Sequence, residues 1–343
     1  MKNTSSDIRR KYRFAILGCG MIANIHAAAI RSLPDAELIG AADAFPAAAQ
    51  RFCEKYGIHA YESEEAMLND ANVDVVCICT PSHCHAPSAI RALQHGKHVA
   101  LEKPMALNTA QADEVIAECK KNDRLLTVIS QLRFCEDIQK VKSLLAHNAF
   151  GKIVMCNLSM RYWRDESYFS SSSWRGRLEF EGGGALMNQG IHGIDLMQYI
   201  LGEPEVLKGQ IATLHHSVEV EDTAVAVFRF ANGALGTLQG STCTNPGFAR
   251  KLEIHGDKGY VVVRENEIQM MQTEDEKLDL RSFSKRDNGS FNKFSALEHG
   301  LHAMQLQNLL DAIDGRAELL VDATEGRKAI RIIEDIYTSS TPV

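Results

Sequence analysis

The stretch Arg13-Phe14-Ala15-Ile16-Leu17-Gly18-Cys19-Gly20-Met21-Ile22-Ala23 decides how this chain is to be read. Arg13–Leu17 is a short β-type run ending in Gly18, and the Ala-rich segment Ile22–Arg31 behind it carries a helical pattern. Between them Gly18, Gly20 and Ala23, with Met21 and Ile22 at the helix onset, fit G-x-G-x-x-A. Small residues let the backbone turn sharply and approach a pyrophosphate, and the helix N-terminus offers free N–H groups and a partial positive charge. The motif alone is weak, because a chance Gly-rich turn reads the same. Here both flanking elements are present, and Asp43 closes a second strand about 20 residues further on, as a dinucleotide site asks.

Asp43 also bears on which dinucleotide is held. A carboxylate there accepts hydrogen bonds from both ribose hydroxyls and repels a 2′-phosphate, while Ala44 and Phe45 offer no cation to bind one. NAD is therefore expected in preference to NADP. The bland alternative is that Asp43 only caps the helix after it.

Working outward, strand and helix patterns alternate. Glu37–Ala42 reads as a strand, Pro46–Tyr56 as a helix that Gly57 ends, and Asp74–Cys79 as a continuous apolar run of the kind buried in a parallel sheet. Ala86–His95, His98–Leu101, Thr109–Lys121 and Leu125–Ser130 continue the alternation, so the class is α/β with an N-terminal Rossmann, doubly wound parallel sheet. After about residue 150 the period changes: Val154, Cys156, Leu158, Met160 and Tyr162 alternate with mostly polar neighbours. Thr223–Phe230 and Ala234–Ser241 flank Asn232-Gly233, a hairpin signal, and Lys251–His255 and Tyr260–Val263 flank a second turn. Strands joined by tight turns are antiparallel. The expected plan is a dinucleotide-binding domain over residues 1–135. A C-terminal α+β domain over 136–343 follows, its open, mainly antiparallel sheet covered by helices on one face. Helices around Leu297–Ile313 and Ala323–Tyr337 close the chain, and Gln272–Asn292 reads as a surface loop.

The length of 343 residues suits two domains, and 45% apolar with 24% charged residues is ordinary for a folded globular protein. A formal charge of −7 leaves no basic excess to drive phosphate-backbone binding, so nucleic acid is not an expected partner. No apolar stretch approaches the ~20 residues of a membrane span, and Met1–Tyr12 does not resemble a secretory signal. Nine cysteines, an odd number scattered through apparent core segments, read as reduced thiols, and the expected compartment is the cytoplasm. The broad second sheet is expected to bury a face against another subunit, as a homodimer or homotetramer.

Two segments place reactive groups beyond the carboxyl ends of strands, where open α/β sheets bind ligands. Thr80-Pro81-Ser82-His83-Cys84-His85 follows one, and Glu102-Lys103-Pro104 follows Gly96–Leu101. A lysine held at a strand end and partly buried has its pKa drawn toward neutrality, although elsewhere Glu-Lys is an ordinary surface pair. Gly182–Asp195 joins a Gly run to a helix onset, with Asn188 and His192 on one helical face and Asp195 three residues on. A histidine there can move a proton at neutral pH, or it can simply be satisfied by Asp195. Cys77-x-Cys79, His83-x-His85 and His95…His98 do not form zinc-ligand pairs of known spacing, and no metal is expected. His215-His216 reads as loop.

Together the G-x-G-x-x-A loop, Thr80-Pro81 with His85, Glu102-Lys103-Pro104, Gly182–Asp195 and the Glu325-Gly326-Arg327 helix resemble the Gfo/Idh/MocA (glucose–fructose oxidoreductase / inositol dehydrogenase) family over nearly the whole chain. The resemblance implies NAD(P)-dependent oxidation or reduction of a hydroxyl on a sugar, sugar nucleotide or cyclic polyol. It implies that Lys103 contacts the reacting hydroxyl and takes its proton, with His192 as the second catalytic residue. It further implies that Pro81 and Glu102 border the nicotinamide, that Thr80, His85 and Gln131 belong to the cofactor site, and that Trp174-Arg175 approaches the cofactor. Many members carry Asp where this chain has Asn188, which is uncharged, so the acceptor falls to Lys103 or His192. The Asn-Gln-Gly-Ile-His form with Trp174-Arg175-Gly176 upstream is similar to the branch of UDP-N-acetylglucosaminuronate 3-dehydrogenases.

On this reading a pocket between the domains is lined by Arg161, Trp163, Arg164, Tyr168 and Trp174, with Lys103, Asn188 and His192. Arg161 and Arg164 would meet a carboxylate or phosphate, unless they lie on the exposed face of a strand. Two other functions fit the fold: a non-catalytic regulator sensing NAD or sugar, and catalysis with a cofactor retained between turnovers. A sensor would have no chemical need for both Lys103 and His192.

Overall fold

The computed structural model describes residues 11–274 and 294–341; the expected loop at Gln272–Asn292 lies outside the described residues from 275 on. The first half holds β1 (Tyr12–Leu17), α1 (Met21–Ser32), β2 (Ala36–Ala42), α2 (Pro46–Tyr56), β3 (His59–Ala60), α3 (Glu64–Asn69) and β4 (Val75–Ile78). It continues with α4 (His85–Gln94), β5 (His98–Leu101), α5 (Thr109–Asn122), β6 (Leu126–Val128) and α6 (Glu136–Ala146). The six strands run β3-β2-β1-β4-β5-β6, every pairing parallel. That order reverses direction between β1 and β4, and a crevice opens beyond the carboxyl ends of those two strands.

Local chemistry accounts for these elements. β4 is buried at all four positions, as a central parallel strand must be. α2 starts with Pro46 in its first turn and stops at Gly57, whose φ of 65° is the left-handed conformation that ends helices. The short β3 and α3 carry no strong periodic pattern. α3 is set by a cap, the Ser63 hydroxyl accepting from Ala66 N at 3.0 Å.

The second half holds β7 (Ile153–Arg161), α7 (Glu166–Ser170), α8 (Leu178–Glu181), α9 (Ile191–Leu201), β8 (Glu205–Ala212), β9 (Thr223–Arg229) and β10 (Leu235–Ser241). β11 (Lys251–Gly256), β12 (Tyr260–Arg264), β13 (Glu267–Gln272), α10 (Phe294–Ile313) and α11 (Ala323–Ser339) follow. Its seven strands run β13-β12-β11-β7-β10-β9-β8. The β9–β10 and β11–β12 hairpins form as their turns predict, and the one parallel pairing is β7 with β10. Along β9 the side chains alternate, Ala224, Ala226 and Phe228 buried and Val225, Val227 and Arg229 exposed, so one face meets helices and the other is open.

α10 and α11 bind the halves together. Leu306, Leu309 and Leu310 of α10 are fully buried in one core with Ala23, Ala27 and Ile30 of α1, so this late helix covers the first sheet. Gln305 Nε2 donates to Thr127 Oγ1 and Val128 O, each at 2.8 Å, and its oxygen accepts from Ser130 N at 3.0 Å. Gly326 of α11 lies so close to Val128 that an added Cβ would stand 2.4 Å from a valine methyl. Arg133 is fully buried and forms a two-bond fork with Asp195 of α9, at 3.0 and 2.7 Å, and a bond to Glu325 of α11 at 2.9 Å. The helix that bears His192 is thereby anchored to the end of the first sheet. Among the described residues no helix is long and apolar enough to cross a membrane.

Candidate active site

The Gly-rich loop sits at the switch point. Gly18 has φ 92°, and a side chain there would meet the Cys79 and Thr80 backbone at 2.8 Å, so strand and loop can approach only without a Cβ. A Cβ on Gly20 would point into open space, while Ala23 is fully buried and sets the helix on the sheet. No side chain caps α1, whose N-terminus, with Met21 88% exposed, faces the groove. Asp43 accepts from Cys19 N at 2.7 Å and from Phe45 N at 2.8 Å. It thus steadies the loop and the entry to α2 together, and remains part-exposed at the groove. Thr80 Oγ1 and Gln131 Oε1 are buried without a hydrogen-bond partner. An open glycine cradle, an uncapped helix N-terminus, an available carboxylate and two unsatisfied polar atoms fit a dinucleotide. Gly18, Gly20, Met21 and Ile22 would hold the pyrophosphate, Asp43 the ribose, and Thr80, Pro81 and Gln131 the nicotinamide end.

His85 is positioned differently. It is 2% exposed, with Nδ1 at 2.6 Å from Pro104 O and Nε2 at 2.7 Å from Thr80 O, so it ties together the two loops that border the groove. Glu102 is likewise buried. Its Oε1 lies 2.9 Å from His26 Nε2 and 3.9 Å from His302 Nε2, and its Oε2 accepts from Lys103 N at 3.2 Å. Burial pushes this carboxyl up, but His26, His302 and Lys103 outweigh that and bring it down to about 2. The charged Glu102 pins the Lys103 backbone from behind.

Lys103 and His192 line one cavity, with Met105, Ser130 and Ile191. Lys103 Nζ donates to the main-chain carbonyl of Asn188 at 2.9 Å. Burial lowers its amine below the usual 10.5, against the opposing pull of Glu102 and Glu181. Burial, with Lys103 and Arg250 nearby, holds His192 well below 6.5 and therefore neutral. Asp195 is committed to Arg133 and does not satisfy His192. The four-residue spacing of Asn188 and His192 crosses a change of winding, because residues 185–190 form a π-helical turn that leads into α9.

Around Asn188 a polar, aromatic cluster closes the pocket. Its Nδ2 donates to Glu181 at 2.5 Å and to Tyr168 Oη at 3.3 Å, and Gln189 Nε2 donates to the same phenol at 2.9 Å. Arg164 and Arg175 lie 5.4 and 4.4 Å from the Tyr168 ring centroid. Arg164 also donates to Gln189 Oε1 at 2.6 Å, and Arg175 Nε is buried without a partner. Trp174 lies beside Arg175, 5.2 Å from its guanidinium, so that pair joins the Tyr168 cluster. Trp163 stands further along, with its ring 5.4 Å from that of His215, and Arg161 is exposed over Phe248 at 5.2 Å. The structure thus brings Lys103 and His192 into one cavity, links Tyr168 and Arg175 to it through Asn188, and leaves Arg161 on the exposed face of β7, outside this cluster.

Glu181, His26, His302, Gln189 and Arg133 escaped the sequence reading. Of these only Gln189 lies in a motif, where nothing marks it as a contact of Arg164 and Tyr168, and a charged residue before a Gly run, as Glu181 is, looks like a solvated turn. The zinc candidates are scattered: Cys77 lies inside β4, His83 packs on Phe180 and His98 accepts from Leu125 N.

Residues 12–130 match the family described as "Oxidoreductase family, NAD-binding Rossmann fold", and residues 138–262 match the GFO/IDH/MocA C-terminal domain. Myo-inositol 2-dehydrogenase of Thermotoga maritima is 30% identical over 73% of this chain and 74% of its own length. D-glucoside 3-dehydrogenase of Escherichia coli is 26% identical over 98% of this chain and 96% of its own. The solved WlbA dehydrogenase of Bordetella pertussis, bound to NADH and UDP-GlcNAcA, superposes with a TM-score of 0.89 at 30% identity, covering 97% of this chain and 99% of that one.

Proposed function

The chain belongs to the GFO/IDH/MocA oxidoreductase family, with its NAD-binding Rossmann domain, and from that premise we propose that it oxidises a secondary hydroxyl of an anionic sugar with NAD as acceptor. The observation that carries this reading is the meeting of Lys103 and His192 in one cavity. Bound NAD supplies the hydride acceptor. The neutral Lys103 amine takes the hydroxyl proton, and in the reverse direction its ammonium polarises the carbonyl. His192, neutral and fixed through α9 and Arg133, hydrogen-bonds the same oxygen and holds it in line. Glu102 and His85 act indirectly, by holding the two loops that carry Lys103, Pro104 and Thr80.

Arg164 and Arg175, set against the Tyr168 ring, favour a substrate carrying a carboxylate or phosphate. WlbA, solved in complex with UDP-GlcNAcA, matches this chain over nearly the full length of both, which supports an anionic sugar nucleotide as the class. Asp43, with Ala44 and Phe45 after it, favours NAD over NADP.

The open face of the second sheet carries Met155, Val225, Val227 and Leu235, 43 to 52% exposed, and a second copy of the chain would cover it. All nine cysteines are free, in keeping with a reducing compartment such as the cytoplasm. A crystal soaked with NAD and UDP-linked uronic acids, simple sugars and polyols tests the reading. Substrate density is expected with one hydroxyl between Lys103 Nζ and His192. Density elsewhere, with that space filled by solvent, would overturn it.

A further inference from the structure

Glu181 is a buried carboxylate to which the proposed reaction gives no task. It ends α8 with 3% of its surface exposed, and its hydrogen-bond partners are neutral: Gly176 N and the Asn188 Nδ2. Among the described residues no cation pairs directly with it. The same Asn188 presents its main-chain carbonyl to Lys103 Nζ at 2.9 Å. A single residue therefore touches the lysine with its backbone and the carboxylate with its side chain, so the two charges face each other through Asn188. Isolated carboxylates are rarely kept in such places, because burying a charge is unfavourable unless a charge nearby offsets it.

We propose that Glu181 is a positioning residue for Lys103: through Asn188 it fixes where the amine sits, and its negative charge sets the pH above which that amine can accept a proton. The inference rests on Lys103 being the proton acceptor. The arrangement constrains both groups. Asn188 Nδ2 is committed to Glu181 and Tyr168 Oη and its Oδ1 accepts from Gln189 Nε2 at 3.4 Å, so the amide is held in one orientation. Burial raises the Glu181 carboxyl above 4.5 and lowers the Lys103 amine below 10.5, and each opposes that shift in the other. Glu102 beside it in the chain, Arg164 after β7 and His192 on α9 also face Lys103, and Arg175 faces Glu181. Glu102 is tied to His26 and to the Lys103 backbone, which leaves Glu181 as the carboxylate linked to the amine through Asn188.

The test is the pH dependence of trace acetylation of Lys103 by acetic anhydride, read by mass spectrometry of its peptide. Neither cofactor nor substrate is needed, so the result is independent of the activity of Lys103 variants, which tests the function itself. In Glu181→Gln the labelling midpoint is expected to fall by about one unit, because a neighbouring negative charge is lost. In Glu181→Asp, which keeps the charge, it stays within about 0.3 unit of wild type. An unchanged midpoint in folded Glu181→Gln, or an equal fall in both variants, overturns the proposal. If Glu181→Gln does not fold, the wild-type profile decides. The logarithm of the labelling rate must depart from a straight unit slope where Glu181 titrates, and a straight line through that range overturns it.

Discussion

Lys103, at the end of the fifth strand of the first sheet, donates through Nζ to the main-chain carbonyl of Asn188, 85 residues later, at 2.9 Å. This bond joins the dinucleotide half of the chain to the helix onset that carries His192. It fixes the amine by backbone rather than by side chain, so the lysine's position depends on the π-helical turn at 185–190 and on what holds that turn in place.

The lowered amine predicts a direction for the pH profile. Only neutral Lys103 can take a proton, so kcat/KM for oxidation rises with pH and levels off at a midpoint below 10.5. The reverse reduction needs the ammonium and falls over the same range. His192, which burial holds well below 6.5, is neutral from pH 6.5 upward and adds no rising limb there. Steady-state rates from pH 5 to 10 check this; a rising limb near 6.5 that vanishes in His192→Gln would make the histidine the acceptor.

Asp43 is expected to govern cofactor choice. Replacing Asp43 by Ser and Ala44 by Arg removes the repulsion of a 2′-phosphate and supplies a cation. NADP binding should strengthen by tenfold or more, since a charge-assisted contact contributes roughly 1.5–3 kcal/mol. Calorimetric Kd values for both dinucleotides measure it, and an unchanged ratio would confine Asp43 to holding Cys19 and Phe45.

Arg133 is expected to be the most sensitive ionic position. Arg133→Met leaves Asp195 buried without its partner and frees Glu325, costing about 3–5 kcal/mol. Urea unfolding gives the value directly. A loss below about 1 kcal/mol would mean that packing, not this fork, fixes the His192 helix.

On the open face of the second sheet, Val227→Glu is expected to weaken self-association while the fold persists, because the buried alternation of β9 is untouched. Light scattering after size exclusion should show dimer or tetramer for wild type and a smaller species for the variant. A monomeric wild type contradicts the proposed second copy.

What could be read without coordinates follows the range of the interactions. The Gly-rich loop, Asp43 and the Asn232-Gly233 hairpin are legible because backbone geometry at a few adjacent residues decides them. The parallel pairing of β7 with β10 is not, since about 80 residues separate the partners and the alternating pattern of each strand suits either direction. α10 reads as a helix but carries no sign that it returns to the first sheet. For the candidate site, Lys103, His192 and Tyr168 stand in or near motifs, and the structure brings the first two to one cavity and sets Tyr168 against Asn188 beside it. The partners of His85 and Asp195, and the burial of Glu181 and Arg133, arise only when distant segments meet.

The most direct test compares wild type with Lys103→Met, followed at 340 nm with NAD and a panel of UDP-linked uronic acids, simple sugars and polyols. Wild type is expected to form NADH with an anionic sugar. Lys103→Met should bind NAD equally well and lose about 100-fold or more in kcat, the range of a missing general base. Near-wild-type turnover by Lys103→Met on that substrate would contradict the account.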